Sequence, residues 1–258
     1  FNNDLKEDII ALDMIAEDNR RQKLLMTTMM LERYSTLVEY GYGHQVMRNM
    51  LQLNTGNGSF SEIGTYSGIS NTDWSWSALF ADLDNDGWKD IYITNGYRRD
   101  VTNMDYLTYT VDSLNQNGGI TKSKFPDFNS FLELIPSEKI QNYAYRNKAD
   151  LSFEKTSNEW GFVESSFSNG AAYADLDNDG DLEIITNNID DPAFVYVNQT
   201  RERDGGNYIQ IRLQGSENNP LGIGAKVRIE TANGSQMQAL TPTRGFFSSV
   251  QTTLHFGL

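Results

Sequence analysis

The feature that most constrains this chain is a short acidic pattern that occurs twice, Asp82–Asp90 (DLDNDGWKD) and Asp175–Glu183 (DLDNDGDLE). Carboxylates at alternating positions converge when the backbone curls around a cation, and a hard divalent ion takes six to eight oxygen ligands at short range. The glycine at the sixth position supplies the sharp turn. The candidate ligands are therefore Asp82, Asp84, Asp86 and Asp90 with the carbonyl of Trp88, and Asp175, Asp177, Asp179 and Glu183 with the carbonyl of Asp181. An EF-hand shares the first six positions but needs a glutamate at the twelfth, where this chain has Ile93 and Thr186. Both flanks also read as strands, so an EF-hand is rejected. Magnesium tolerates so many protein ligands poorly, and zinc wants nitrogen or sulfur. The expectation is two structural Ca2+ sites, each stapling one β-hairpin.

The two loops are fixed points of a longer repeat. Residues 75–96 align without gaps on 168–189, an offset of 93 that also places Asn54 on Asn147, Phe60 on Phe153 and Gly68 on Gly161. Each unit, 49–96 and 142–189, contains an Asn-ended strand, a second strand around Phe60 or Phe153, an apolar strand, the acidic loop and an alternating strand. Four short strands per unit are the pattern of a propeller blade. The opening residues repeat the loop once more at an offset of 82, with Asn2, Asp4 and Asp8 on ligand positions and Leu5 replacing the glycine. This remnant (1–13) is expected to be the tail of a further unit. Residues 17–39, containing LLMTTMMLERY, are expected to form an amphipathic helix whose stripe is a packing face. The insertion 97–140 is expected to hold two helices, the second starting near Pro126 and Asp127. Residues 1–198 thus form the propeller segment, and the alternating stretches of 199–258 form a small all-β domain. The fold class is mainly β.

Composition narrows the function. The net charge is -14, and eight carboxylates sit at the ligand positions of the two loops. A phosphate backbone needs a basic surface, so nucleic acid is excluded as a partner. No apolar run is long enough for a membrane span, and the chain has no cysteine for disulfides or thiolate chemistry. His44 and His255 fall in different domains and read as surface or packing residues. No nucleophile elbow, zinc-protease or phosphate-loop motif is present, so no catalytic residue is assigned. Trp74 and Trp76 are a candidate aromatic ligand platform, with blade packing as the plainer reading. Asn57, Asn198 and Asn233 begin N-glycosylation sequons, which matter only in a eukaryotic secretory host.

The acidic loops and their flanking strands resemble the FG-GAP/VCBS repeats of integrin-type and bacterial surface propellers. Residues 218–258, with GIGAKV and the closing LHFGL, resemble the ASPIC/UnbV domain. LDMIAEDNRRQK (12–23) and TDWSW (72–76) are similar to large exported VCBS-repeat proteins of Bacteroidetes, and Asp112-Ser113-Leu114 matches the short O-glycosylation pattern of that phylum. The resemblance implies an envelope or extracellular protein with calcium in its loops, and no known catalytic residues. The expected role is a cell-surface binding or scaffold module for a protein or glycan, within a larger chain or complex. Two alternatives stay open: a polysaccharide-active propeller enzyme with its site outside the loops, and an accessory subunit of an outer-membrane transport or secretion complex. Two units and a remnant cannot close a propeller, so the missing blades are expected N-terminal to this segment, or a partner covers the sheet edges.

Overall fold

A computed structural model describes residues 1–25, 31–203, 205–232 and 234–258. Strands β1 (Ile9–Ala11) and β2 (Met14–Ile15) lead into helices α1 (Asn19–Leu25) and α2 (Leu31–Glu39). Strands β3 (Met50–Asn54), β4 (Phe60–Glu62), β5 (Asp73–Ala81) and β6 (Asp90–Asn95) follow. The insertion contains a π-helical turn, Tyr106–Val111, running into α3 (Asp112–Gln116), and then α4 (Phe128–Leu132). After it come β7 (Ile140–Gln141), β8 (Tyr143–Asn147), β9 (Phe153–Lys155), β10 (Ser165–Ser166), β11 (Ser168–Ala174), β12 (Glu183–Asn188) and β13 (Phe194–Tyr196). Helix α5 (Thr200–Arg203) precedes β14 (Tyr208–Arg212), β15 (Lys226–Thr231), β16 (Gly234–Ala239) and β17 (Thr253–Gly257).

The strands assemble as three blade-like sheets. The middle one is complete, in the order β5-β6-β8-β9 with β2 added at the edge, and all its pairings are antiparallel. The first has β1-β3-β4, and the third β11-β12-β13. Their registers agree position by position: Ile9 faces Gln52, Ile91 faces Tyr145 and Ile184 faces Tyr196. Even the β-bulge recurs, between Ser75 and Ala78 in one blade and Ser168 and Ala171 in the next. Thus the 93-residue repeat seen in sequence is a repeat of hydrogen-bond register. Among the described residues the three sheets do not close a ring.

Two apolar clusters fill the spaces between blades. Leu51 and Ile69 of the first blade meet Ile91, Ile93, Tyr143, Tyr145 and Phe153 of the second. Leu79, Tyr92 and Phe162 of the second meet Ala171, Leu182 and Ile184 of the third. Burial on both faces explains why β6 reads DIYITN, with every residue buried, rather than alternating with polar residues. The C-terminal strands form two separate hairpin-like pairs, β14–β17 and β15–β16, around Leu240, Leu254 and Phe256.

The described parts of the segment 17–39 are helical over α1 and α2, while Met26, Met29 and Met30 lie outside the described residues. Helix α2 has no fully buried residue, and its Tyr34 hydroxyl lies 2.7 Å from His44 Nδ1. The second insertion helix is only Phe128–Leu132. Pro136 follows shortly and disfavours helix in the residue before it.

Blade two touches blade three so closely that one residue must lack a side chain. A Cβ on Gly96 would lie 2.3 Å from the backbone nitrogen of Ser168 and 2.4 Å from the carbonyl carbon of Phe167. Gly96→Ala should therefore force the two sheets apart and cost ~1–3 kcal/mol of stability in denaturant unfolding. A neutral substitution would show that the blade interface is looser than this packing.

Candidate metal centres

The first acidic loop brings Asp82, Asp84 and Asp86 together, with one oxygen from each lying within 4.8 Å of the others. Gly87 takes φ +87° and Asn85 takes φ +57°, the curl the turn requires. Two internal bonds hold that curl: the Asp86 amide donates to Asp84 Oδ1 (3.3 Å) and the Trp88 amide to Asp86 Oδ1 (2.8 Å). The second loop repeats both, from the Asp179 amide to Asp177 (3.3 Å) and from the Asp181 amide to Asp179 (3.1 Å). Here the acids gather as Asp175, Asp177 and Glu183, and as Asp179, Asp181 and Glu183.

Asp82 is fully buried. Its Oδ2 accepts from the amides of Gly87 and Gly257, both at 3.0 Å, whereas its Oδ1 is buried with no hydrogen-bond partner. Asp175 Oδ1 and Asp181 Oδ1 are likewise buried and unpartnered. A buried carboxylate oxygen left without a donor is costly, and three of them sit in the two loops. Desolvation, reinforced by Asp84, pushes Asp86 up to about 7, and desolvation with Asp179 pushes Asp181 up to about 7. Both loops are therefore short of positive charge, and their all-oxygen donor set fits a metal ion.

Two of the expected ligands behave differently. Asp90 stays outside the first group. Its two oxygens accept from the amides of Leu83 and Asn147, both at 2.9 Å. Asp181, expected to offer only its carbonyl, brings its carboxylate into the second group, while Trp88 at the matching position has none to bring. Glu183 also accepts two amides, from Leu176 (2.7 Å) and Asn198 (3.3 Å), but its longer side chain keeps it in reach of the other acids.

These bonds reveal residues that sequence reading passed over. In each blade the ninth-position acid accepts the amide of the Asn-ended strand: Asp8 from Asn54 (2.9 Å), Asp90 from Asn147 and Glu183 from Asn198. The asparagine side chain returns the bond to the backbone before that acid, at Glu7 (3.1 Å), Lys89 (2.9 Å) and Leu182 (3.3 Å). The signal was present as the recurring Asn54, Asn147 and Asn198, which the repeat alignment marked only as a strand end.

The remnant keeps the same backbone. Asn3 and Leu5 hold φ +56° and +66°, matching Asn85 and Gly87, and the amides of Asp4 and Lys6 bond to Asn2 and Asp4 as in the complete loops. Asp4 pairs with Lys6 at 3.1 Å, so a lysine within the turn brings positive charge to it.

The C-terminal domain packs directly on both loops. His255 is buried, and its Nε2 lies 2.7 Å from Asn85 Oδ1. Desolvation, then the charge of Lys89, lowers His255 to about 3, a neutral packing residue as expected. Gly257 approaches so closely that a Cβ would lie 2.3 Å from Asp82 Oδ2, and Tyr208 covers Gly180. Gln210 donates to Asp175, and the Asp175 amide donates to Gln251 at 3.4 Å. The candidate platform residues make packing contacts, the plainer of their two readings: Trp74 stacks on Tyr97 at 4.2 Å, while Trp76 donates to Gly96 O at 2.6 Å and leans on Phe246.

Stacked antiparallel blades, two of them carrying an acidic turn between their first two strands, define a propeller-type repeat protein. Residues 1–93 match the FG-GAP-like repeat family and residues 215–258 the ASPIC and UnbV family. The chain thus carries an FG-GAP-like repeat over residues 1–93 and an ASPIC/UnbV domain over residues 215–258. No curated protein matches it. Repeats of this type are typically extracellular or on the cell surface, and no described helix is long and apolar enough to cross a membrane.

The asparagine clasp is testable. Asn147 is 4% exposed and bonds to Lys89 O, Phe1 O and the Ala149 amide. Asn147→Ala should cost ~1–3 kcal/mol, because two buried carbonyls lose their donor. Unfolding in urea measures it, and a loss within ±0.5 kcal/mol, the usual surface range, would contradict the clasp.

Proposed function

We propose that this chain is a calcium-stapled, non-enzymatic binding or scaffold module of the cell surface, working as the protein-binding part of a larger envelope assembly. The observation that carries the reading is the set of buried carboxylate oxygens without donors in both loops. A hard divalent cation satisfies them, and extracellular calcium is abundant enough to occupy sites of modest affinity. When bound, the ion supplies charge neutralisation and fixes the turn. It has no substrate-facing role here, because the C-terminal domain covers Asp82 and Gly180.

A protein partner is favoured over a glycan by the insertions. Leu31, Tyr40, Tyr109 and Phe128 are 77%, 78%, 71% and 69% exposed, and all lie on the helical additions rather than on the blades. Large apolar side chains held away from their own core are what an interface collects. The same observation supports the subunit reading, in which the outer face of the insertions docks on a transport or secretion complex.

The enzyme reading draws on one cluster. A cleft of about 640 Å³ lies beside Arg21, Asp100, Asp105 and Glu138. Arg21, however, engages Asp73 through two bonds (2.8 and 3.1 Å), Asp100 at 3.4 Å and Glu138 at 2.6 Å. A guanidinium that binds three carboxylates fastens α1 and the insertion to β5, which supports a structural role for this cluster, although Asp100 Oδ1 is left buried without a partner.

Calcium added to chelator-treated protein should raise the unfolding midpoint, by ~2.7 kcal/mol in stability per site at a hundredfold excess over Kd. Asp82→Asn with Asp175→Asn should abolish most of that gain. A midpoint indifferent to chelator would sink the staple role. Affinity capture from the native envelope then reports the partner class: a defined protein complex supports the module, and recovery of glycan alone overturns its protein-binding part.

A further inference from the structure

The third blade stops one strand short. In the first two, the Asn-ended strand turns back into an outer strand that begins with phenylalanine, so that Asn54 pairs with Phe60 and Asn147 with Phe153. After β13 the chain reaches Asn198 and turns into α5 instead, which leaves β13 at the edge of its sheet. Val195 and Val197 flank Tyr196 there and are 55% and 64% exposed, although Ala144, the counterpart of Val195 in the second blade, is completely buried.

The middle blade shows what the third lacks. Phe153 packs among Leu51 and Ile69 of the blade before it and Ile91 and Tyr145 of its own. Its amide donates to Ser67 O across the blade boundary, at 3.0 Å. Moving those residues one blade along, by 93 positions for the first blade and β6 and by 51 for β8, gives Ala144, Phe162, Ile184 and Tyr196, with Trp160 in place of Ser67. Of these, Phe162, Ile184, Tyr196 and Trp160 line a single cavity of about 510 Å³, along with Val195 and Val197. The space that holds a phenylalanine between blades one and two is thus present between blades two and three, with no phenylalanine to fill it. Exposed β-branched residues on an unpaired edge are a template for another strand.

We propose that β13 receives a fourth strand from a partner polypeptide, antiparallel to it, with an aromatic residue opposite Asn198 seated in this cavity. The occupant's chemistry follows from β9: a small residue, an aromatic, then polar residues, as in Ser152-Phe153-Glu154-Lys155. Backbone pairing supplies register and the aromatic supplies specificity. This rests on the protein-binding role proposed above but not on the ion, so calcium titration and strand capture fail independently.

A seven-residue peptide with the sequence of residues 150–156, added to the 258-residue chain with calcium present, tests the idea without altering the fold. Binding should be saturable, change Trp160 fluorescence and slow amide exchange at residues 194–198. The same peptide with alanine in place of its phenylalanine should bind at least tenfold more weakly, a loss of ~1.4 kcal/mol. Equal affinity of the two peptides, or binding with no protection at 194–198, would overturn the proposal. Protection that rises with protein concentration in the absence of peptide would assign the groove to a second copy and overturn it as well.

Discussion

One carboxylate has a large share of this structure hanging on it. Asp82 is fully buried; one oxygen ties the acidic turn at Gly87 to the C-terminal strand at Gly257, and the other has no partner at all. A charge in that position is tolerable only if something positive meets the free oxygen. The turn, the blade it belongs to and the docking of the C-terminal domain are therefore coupled through a single side chain. The same geometry explains the closing residues of the chain. Gly257 admits the backbone to the loop, and His255 reaches Asn85. The LHFGL ending is thus a complement to an acidic turn, which accounts for the two occurring on one chain.

The ninth-position acid has a second job. By accepting the amide of the Asn-ended strand, Asp8, Asp90 and Glu183 each lock the third strand of a blade to the loop between the first two. Since every pairing in a sheet changes face when slipped by one residue, this clasp sets register as well as closing the turn.

Much of this was legible in the sequence because the repeat is gapless: an offset of 93 that aligns Asn54, Phe60 and Gly68 with their partners is a statement about register. The acidic turns were legible because alternating aspartates and a glycine have one efficient backbone path. What could not be read was where the side chains end up when neighbours compete for them. Asp90 and Asp84 look equivalent in the motif, yet one accepts backbone amides and the other pairs with Arg146 at 2.7 Å. Arg21 was invisible for a similar reason: its partners Asp73, Asp100 and Glu138 are 52, 79 and 117 residues away, and no local pattern links them. The second insertion helix is shorter than its apolar periodicity suggests, because only Phe128–Leu132 of the residues around it is helical.

The open edge of the third blade follows from the same repeat logic. Each blade is half of two interfaces, so a blade lacking its fourth strand leaves a defect in the core of the interface it shares with its neighbour. Tyr196 and Phe162 narrow the gap by meeting edge to face at 4.7 Å, which is how the chain limits the exposed apolar area. They do not fill it, since the cavity there is about 510 Å³, far larger than the imperfections of a close-packed interior. A space of that size, lined by Phe162, Ile184 and Tyr196 beside a strand whose outer edge is open while the edges of its two counterparts are paired, is better explained as a place for a residue than as a flaw in packing.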